Sequence, residues 1–303
     1  MSSQAALSFV MLAVLNAMAE QQPPEKEFTL TAESRLVMLD VGVQNQHGDA
    51  ITGLGKDNFR VYENGKLQTI SDFANQDVPI TAGLVIDSSG SMRNKRSQVV
   101  IGGLAFVRES NPSDQIFITE FNDHVTFGLP SGMAFSGDPA TLRSALLQSP
   151  AEGRTALYDA VLQALDHLKL GTESKKALVL ISDGGDNASE RHLADVTKAV
   201  LESPATIYTV GIFDQDDSDR NPGLLRKLAG VTGGEAFFPK QIDDVVGVCR
   251  QIARQIRQRY SLAYRPVSLS EKGELRRIKV VVTGTPEKAT VFARKSYYLP
   301  PAK

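Results

Sequence analysis

The chain has a single cysteine, Cys249, so no intrachain disulfide can brace it. In its apolar helical stripe, that thiol is expected to be buried. Four histidines, His47, His124, His167 and His192, are scattered without metal-ligand spacing, which leaves no zinc or copper donor set. An excess of positive charge is also missing. Lys and Arg number 33 against 35 Asp and Glu, a net charge of −2, so the chain as a whole offers no electrostatic footprint for nucleic acid. No H-E-x-x-H is present, no serine stands in G-x-S-x-G, and Gly55-Lys56 is followed by Asp57 without the upstream glycine of a P-loop. No apolar run reaches the roughly 20 residues of a membrane-spanning helix. "AALSFVMLAVLNAMA" (Ala5 to Ala19) instead fits a signal-peptide core, with Ala17-Met18-Ala19 as the cleavage motif before the polar "EQQPPEKE", although "MSSQ" carries no Lys or Arg.

What remains is an ordinary globular composition, 42% apolar and 22% charged over 303 residues, enough for one medium domain and a smaller one. "RLVMLDVGVQ" (35 to 44) alternates as a strand. "NFRVYENGKLQTISDF" sets Asn64-Gly65 between two alternating runs, the signal of a tight hairpin. From Ile80 the pattern changes. "ITAGLVI", "QIFITEF", "KALVLIS" and "ATIYTVGIF" are near-continuous apolar runs, as expected of strands buried on both faces. Amphipathic helical stretches separate them, among them "TALYDAVLQALDHLKL", expected to start at Thr155. After Gln258, "YSLAYRP", "LRRIKVVVTG" and "TVFARKSYYLP" read as strands again. The fold class expected is therefore α/β, a doubly wound, mostly parallel sheet inserted into a small all-β domain. The expected division is a signal peptide over 1–19, an N-terminal β segment over 20–78, the α/β domain over 79–258, and a C-terminal β segment over 259–303 that pairs with the first. The basic run "RQIRQRY" (254 to 260) is expected on a solvated helix face. The acidic "DQDDSDRN" (214 to 221) lacks the glycine of an EF-hand loop and is expected to be a solvated loop.

Ligands of open α/β sheets bind beyond the carboxyl ends of the strands. "IDSSGSM" sits at such an end, and so does "ISDGGDN", while "GRT" opens a helix between them. Asp87, Ser89, Ser91, Thr155 and Asp183 can converge there. Alternation of Asp87, Ser89 and Ser91 lets one curled loop aim three oxygens at a point, and Gly90 permits the curl. Two carboxylates and three hydroxyls suit a hard divalent cation, Mg²⁺ first and Mn²⁺ or Ca²⁺ as alternatives. Two carboxylates neutralise the ion and leave a coordination position open. Helix capping explains one such residue but not three loops carrying them together.

These residues, Asp87-x-Ser89-x-Ser91, Thr155 in "GRTALYDA" and Asp183 in "ISDGGDN", resemble the metal ion-dependent adhesion site of von Willebrand factor type A (VWA) domains, with every position present. The resemblance covers about 79 to 258, and the flanks resemble those of secreted bacterial proteins carrying such a domain. It implies that Asp87 or Asp183 reaches the metal through water and that Thr155 coordinates only in some bound states. The function expected is a non-enzymatic, exported, periplasmic or extracellular binding protein whose Mg²⁺ site takes an exposed Asp or Glu of a partner protein. Two other readings stay open, a metal-dependent hydrolase and an intracellular assembly factor working with an ATPase. The first lacks a general base in the three loops, and the N-terminal segment argues against the second.

Overall fold

The structure is a computed structural model that describes residues 36–148, 150–213, 219–266, 274–285 and 287–298. The expected signal peptide and most of the acidic "DQDDSDRN" loop lie outside the described residues.

The first strands are β1 (Val37–Gln44), β2 (Phe59–Glu63), β3 (Lys66–Gln68) and β4 (Ile70–Ala74). Then β5 (Ile80–Asp87), α1 (Arg96–Glu109), β6 (Gln115–Phe121), β7 (Val125–Phe127), α2 (Pro139–Leu146) and α3 (Leu157–Leu168) begin the alternating region. It continues through β8 (Lys175–Ser182), α4 (Leu193–Glu202), β9 (Thr206–Gly211), α5 (Pro222–Thr232), β10 (Ala236–Phe237) and α6 (Asp244–Arg257). The chain ends in β11 (Tyr260–Tyr264), β12 (Leu275–Val282), β13 (Thr290–Phe292) and β14 (Ser296–Tyr298).

The central sheet has six strands in the order β10-β9-β8-β5-β6-β7, all parallel except β7. All eight residues of β5 are buried, because helices cover both faces. Ile80, Ala82, Leu84 and Ile86 point to a core completed by Val99 and Phe106 of α1, Leu142 of α2, and Val245, Cys249 and Ile252 of α6. Val85, with Phe117 and Leu178 of the neighbouring strands, points to the other, closed by α3, α4 and α5. Between them Gly83 leaves room for the Phe117 ring, since a Cβ there would stand 2.3 Å from Phe117 Cζ. Each Val, Leu or Ile so buried contributes roughly 1.5–3 kcal/mol.

The remaining strands form two four-stranded antiparallel sheets, β13-β1-β11-β4 and β14-β12-β2-β3. They face each other across one core, in which the ring of Phe59 lies 5.0 Å from Tyr260 and 5.7 Å from Phe73. Strands from both ends of the chain therefore pair, β1 with β11 and β2 with β12, and the α/β region is inserted between them. Glu63 is buried there with its charge satisfied. It accepts hydrogen bonds from the hydroxyls of Tyr264 and Tyr297, each at 2.7 Å, and from Arg276 Nη1 at 2.5 Å. Burial, then the Glu63 hydrogen bond, keeps both tyrosines protonated far above the usual phenol range.

Three expectations need correction. The Asn64-Gly65 turn forms, with φ of 48° and 81°, but its second arm divides. β3 stays with β2, and β4 crosses to the opposite sheet to pair with β11. "TVFARKSYYLP" likewise divides into β13 and β14, which lie in different sheets. Arg294 is buried at the break and donates to the backbone carbonyls of Val200, Ser203 and Ala205. Second, α3 begins at Leu157, so Thr155 lies in the loop before it. Third, "RQIRQRY" is no solvated face. Arg257 Nη1 meets Asp77 Oδ1 at 2.7 Å and Nη2 pairs with Asp114. Arg259 is 5% exposed and donates to Tyr208 Oη and to the carbonyls of Asp40, Gly233 and Phe292.

These arginines join the sandwich to the α/β region. Replacing Arg259 by Met keeps much of the volume but leaves three carbonyls and a phenol without their donor. We expect urea denaturation to show a loss of about 3 kcal/mol. A loss below about 0.5 kcal/mol, the scale of an ordinary surface substitution, would mean that apolar packing alone holds the two parts together.

Candidate metal centre

Parallel pairing sets the site. β5 and β8 run in register from Ile80 opposite Lys175 to Ile86 opposite Ile181, so Asp87 and Ser182 end neighbouring strands at the same edge. Asp87 is fully buried. Its Oδ1 accepts from the Ser89 amide at 2.9 Å, and its Oδ2 from the Ser182 hydroxyl at 2.6 Å. The Ser182 hydroxyl in turn accepts from the Gly184 amide at 2.9 Å. One residue further on, Asp183 Oδ1 accepts from the Gly185 amide at 3.0 Å and Oδ2 from the Ser91 hydroxyl at 2.6 Å. The hydroxyls of Ser89 and Ser91 are 3.1 Å apart. Asp87, Ser89, Ser91 and Asp183 thus meet in one cluster. Ser91 is its exposed member and the other three are buried.

The loops are tied by backbone bonds. The Gly90 amide donates to Gly153 O, and the Glu152 amide to Ser88 O. Gly184, at φ 84°, turns so close to the loop after β9 that a Cβ would stand 2.6 Å from Asn221 O. Thr155 joins the group through its backbone. Its amide donates to Asn187 Oδ1 at 2.9 Å, and its carbonyl accepts from the amides of Asn187 and Ala188. Among the described residues its hydroxyl makes no hydrogen bond. The structure therefore links four of the five expected oxygen donors directly and holds the fifth on the adjoining loop.

Two carboxylates in so dry a place disfavour ionisation. Burial first, and then the charge of Asp183, push the Asp87 carboxyl up to about 6, against the opposing hydrogen bonds from Ser182 and Ser89. The donor set is oxygen throughout. Among the described residues no group of three or more His, Cys, Asp and Glu side chains could hold a metal, so this set depends on its hydroxyls. It fits a hard divalent cation. Such an ion would relieve the repulsion between the acids and take up oxygens that now bond one another.

The sequence alone did not assign Ser182, Asn187, or the pair of half-buried Arg96 with buried Glu120 beneath the first loop. Ser182 and Asn187 flank Asp183 within "ISDGGDN", so their positions were the available signal. Arg96 and Glu120 are far apart in the chain and gave none.

The raised Asp87 value has a consequence for stability. The unfolded chain titrates this group near 3.8 and the folded chain near 6. Its contribution is fully present below pH 3.8 and is lost as pH rises through 6. At about 1.4 kcal/mol per tenfold change in proton affinity, ionised Asp87 costs the metal-free fold about 3 kcal/mol. In EDTA, Asp87→Asn should therefore raise stability at pH 7.5 and not at pH 3.5, measured by urea denaturation. An equal effect at both pH values would contradict the assignment.

Comparison with known proteins bears on the domain and its fold. Residues 83–185, which take in all five candidate donors, match the family model described as von Willebrand factor type A domain. No curated protein sequence matches the chain. Among solved structures, a von Willebrand factor type A protein from Catenulispora acidiphila is 15% identical with a TM-score of 0.53, covering 88% of this chain and 74% of that one. Proximal thread matrix protein 1 of the mussel byssus is 15% identical with a TM-score of 0.50, covering 64% of this chain and 51% of its own. At such identities the likeness is one of fold.

Proposed function

We propose that this chain, built around a von Willebrand factor type A domain, is a metal-dependent protein-binding module. Mg²⁺ is held by Asp87, Ser89, Ser91, Thr155 and Asp183, and the partner contributes an exposed Asp or Glu. The observation that carries the reading is the meeting of Asp87 and Asp183 at neighbouring strand ends, with the Ser89 and Ser91 hydroxyls beside them and Ser91 open to solvent. When bound, the ion supplies an electrophilic position for a carboxylate, in surroundings dry enough to strengthen the bond. The chain's own residues do the rest. Ser182 and the Ser89 amide fix both oxygens of Asp87. The Gly185 amide fixes Asp183 Oδ1, and Asn187 sets the loop that presents Thr155.

We further propose a division into this domain over 79–258 and β segments over 20–78 and 259–303, and export after removal of 1–19. No helix among the described residues is long and apolar enough to cross a membrane. Proteins of this domain family commonly bind other proteins, and the non-enzymatic reading is kept because the three loops bring no histidine to the site.

Calorimetric titration tests the assignment. Mg²⁺ should bind the wild type, and Asp87→Ala or Asp183→Ala should weaken it by more than about 100-fold, beyond what loss of an outer-shell contact costs. Circular dichroism should stay that of the wild type, since both residues lie at the edge of the sheet. With Mn²⁺ loaded, acetate should displace bound water and lower the water-proton relaxation enhancement. Thr155→Ala should weaken acetate binding more than Mn²⁺ binding. Wild-type Mg²⁺ affinity in both aspartate variants would remove the metal site. Metal binding with no acetate effect would make the ion structural.

A further inference from the structure

The outward face of the sheet β14-β12-β2-β3 takes no part in the contacts above. Register defines it. Tyr62 lies between Leu67 and Lys279, Arg60 opposite Val281, Arg277 opposite Ser296, and Leu275 opposite Tyr298. Alternation sends Phe59, Val61, Ile278 and Tyr297 into the core, so the partners just named share the outer side. Arg60, Arg277 and Lys279 are exposed there, and Leu67 and Leu275 are 56% and 41% exposed. No strand position on this face is acidic, and none of its three cations has an ion-pair partner among the described residues. Some exposed cations elsewhere are matched with acids, as in Lys169–Asp166 and Lys198–Glu202.

We propose that this face docks on the surface of an anionic lipid bilayer. Its cations select negative charge, and the absence of carboxylates removes any repulsion. The apolar members decide between occupants. An acidic polypeptide would satisfy Arg277 and Lys279 but offers nothing to the exposed leucines, Leu67 of β3 and Leu275 of β12. A bilayer interface takes both sets of groups, with tyrosine and leucine at the boundary of headgroup and acyl chain and the cations at lipid phosphates. The sandwich also contacts the α/β region where the central strands begin, whereas the metal centre lies where they end, about 25 Å away along β5. Docking by the sandwich leaves the site clear for a partner.

Flotation of the full chain with vesicles tests this. One set is phosphatidylcholine alone and the other an equal mixture with phosphatidylglycerol, both in EDTA so that no metal bridges protein to phosphate. The chain should bind the mixed vesicles more tightly than the zwitterionic ones, and added salt should weaken that binding. Arg277→Gln with Lys279→Gln should lower affinity for the mixed vesicles about 30-fold, near fivefold per cation. Leu67→Ser should lower it several-fold, and both variants should melt as the wild type does. No binding by the wild type overturns the proposal, as does a double variant that binds as tightly as the wild type. Binding to polyglutamate, lost in the double variant, without binding to vesicles also overturns it and reassigns the face to acidic proteins.

Discussion

The in-register parallel pairing of β5 with β8 is the contact on which the rest depends. It alternates apolar side chains into two separate cores, so both helical layers are anchored through the same strands. A slip of one residue would exchange the faces and bury neither set correctly. The same register ends the two strands together, which sets Asp87 beside Ser182 and leaves Asp183 one residue beyond. The acid cluster is thus a consequence of the most heavily buried part of the fold. That rigidity allows two carboxylates to be held close in a dry place at a cost of about 3 kcal/mol to one of them.

At the other edge, where the central strands begin, polar side chains attach the sandwich. Arg257 at the end of α6 holds Asp77 of the β4–β5 connection together with Asp114 just before β6, Lys175 at the start of β8 donates to Arg259 O, and Arg294 reaches Ala205 just before β9. Glu235, just before β10, accepts from Gln44 of β1 at 3.4 Å and from Gln255 of α6 at 3.1 Å. Asp77 apart, each contact uses a residue within one position of a strand start. The two ends of the central sheet are therefore put to different uses, attachment at one and a candidate metal centre at the other. Burial lowers the Lys175 and Arg294 pKa values, and Asp40 opposes both shifts.

The α/β class was legible because strands buried on both faces are written as apolar runs, and the helices between them keep their period. The meeting of Asp87, Ser89, Ser91 and Asp183 was legible because these residues sit at fixed offsets from strand ends. The hairpin turn was legible because Asn64 and Gly65 tolerate positive φ. Where the strands after that turn would go was not. Nothing local in "GKLQTISDF" says that β3 and β4 belong to opposite sheets, since the choice is made by β11, nearly two hundred positions away. Arg259 misled for the same reason. A basic residue in a helical pattern reads as solvated unless the carbonyls that receive it, here from Asp40, Gly233 and Phe292, are known.

The central claim is that the oxygens of the three loops hold a divalent cation. A crystal grown with Mn²⁺ and measured at the manganese edge tests it most directly. An anomalous peak is expected within bonding distance of the Ser89 and Ser91 hydroxyls, with the Ser91 bond to Asp183 replaced by bonds to the ion. A map with no peak there, and Ser91 still bonded to Asp183, would contradict it.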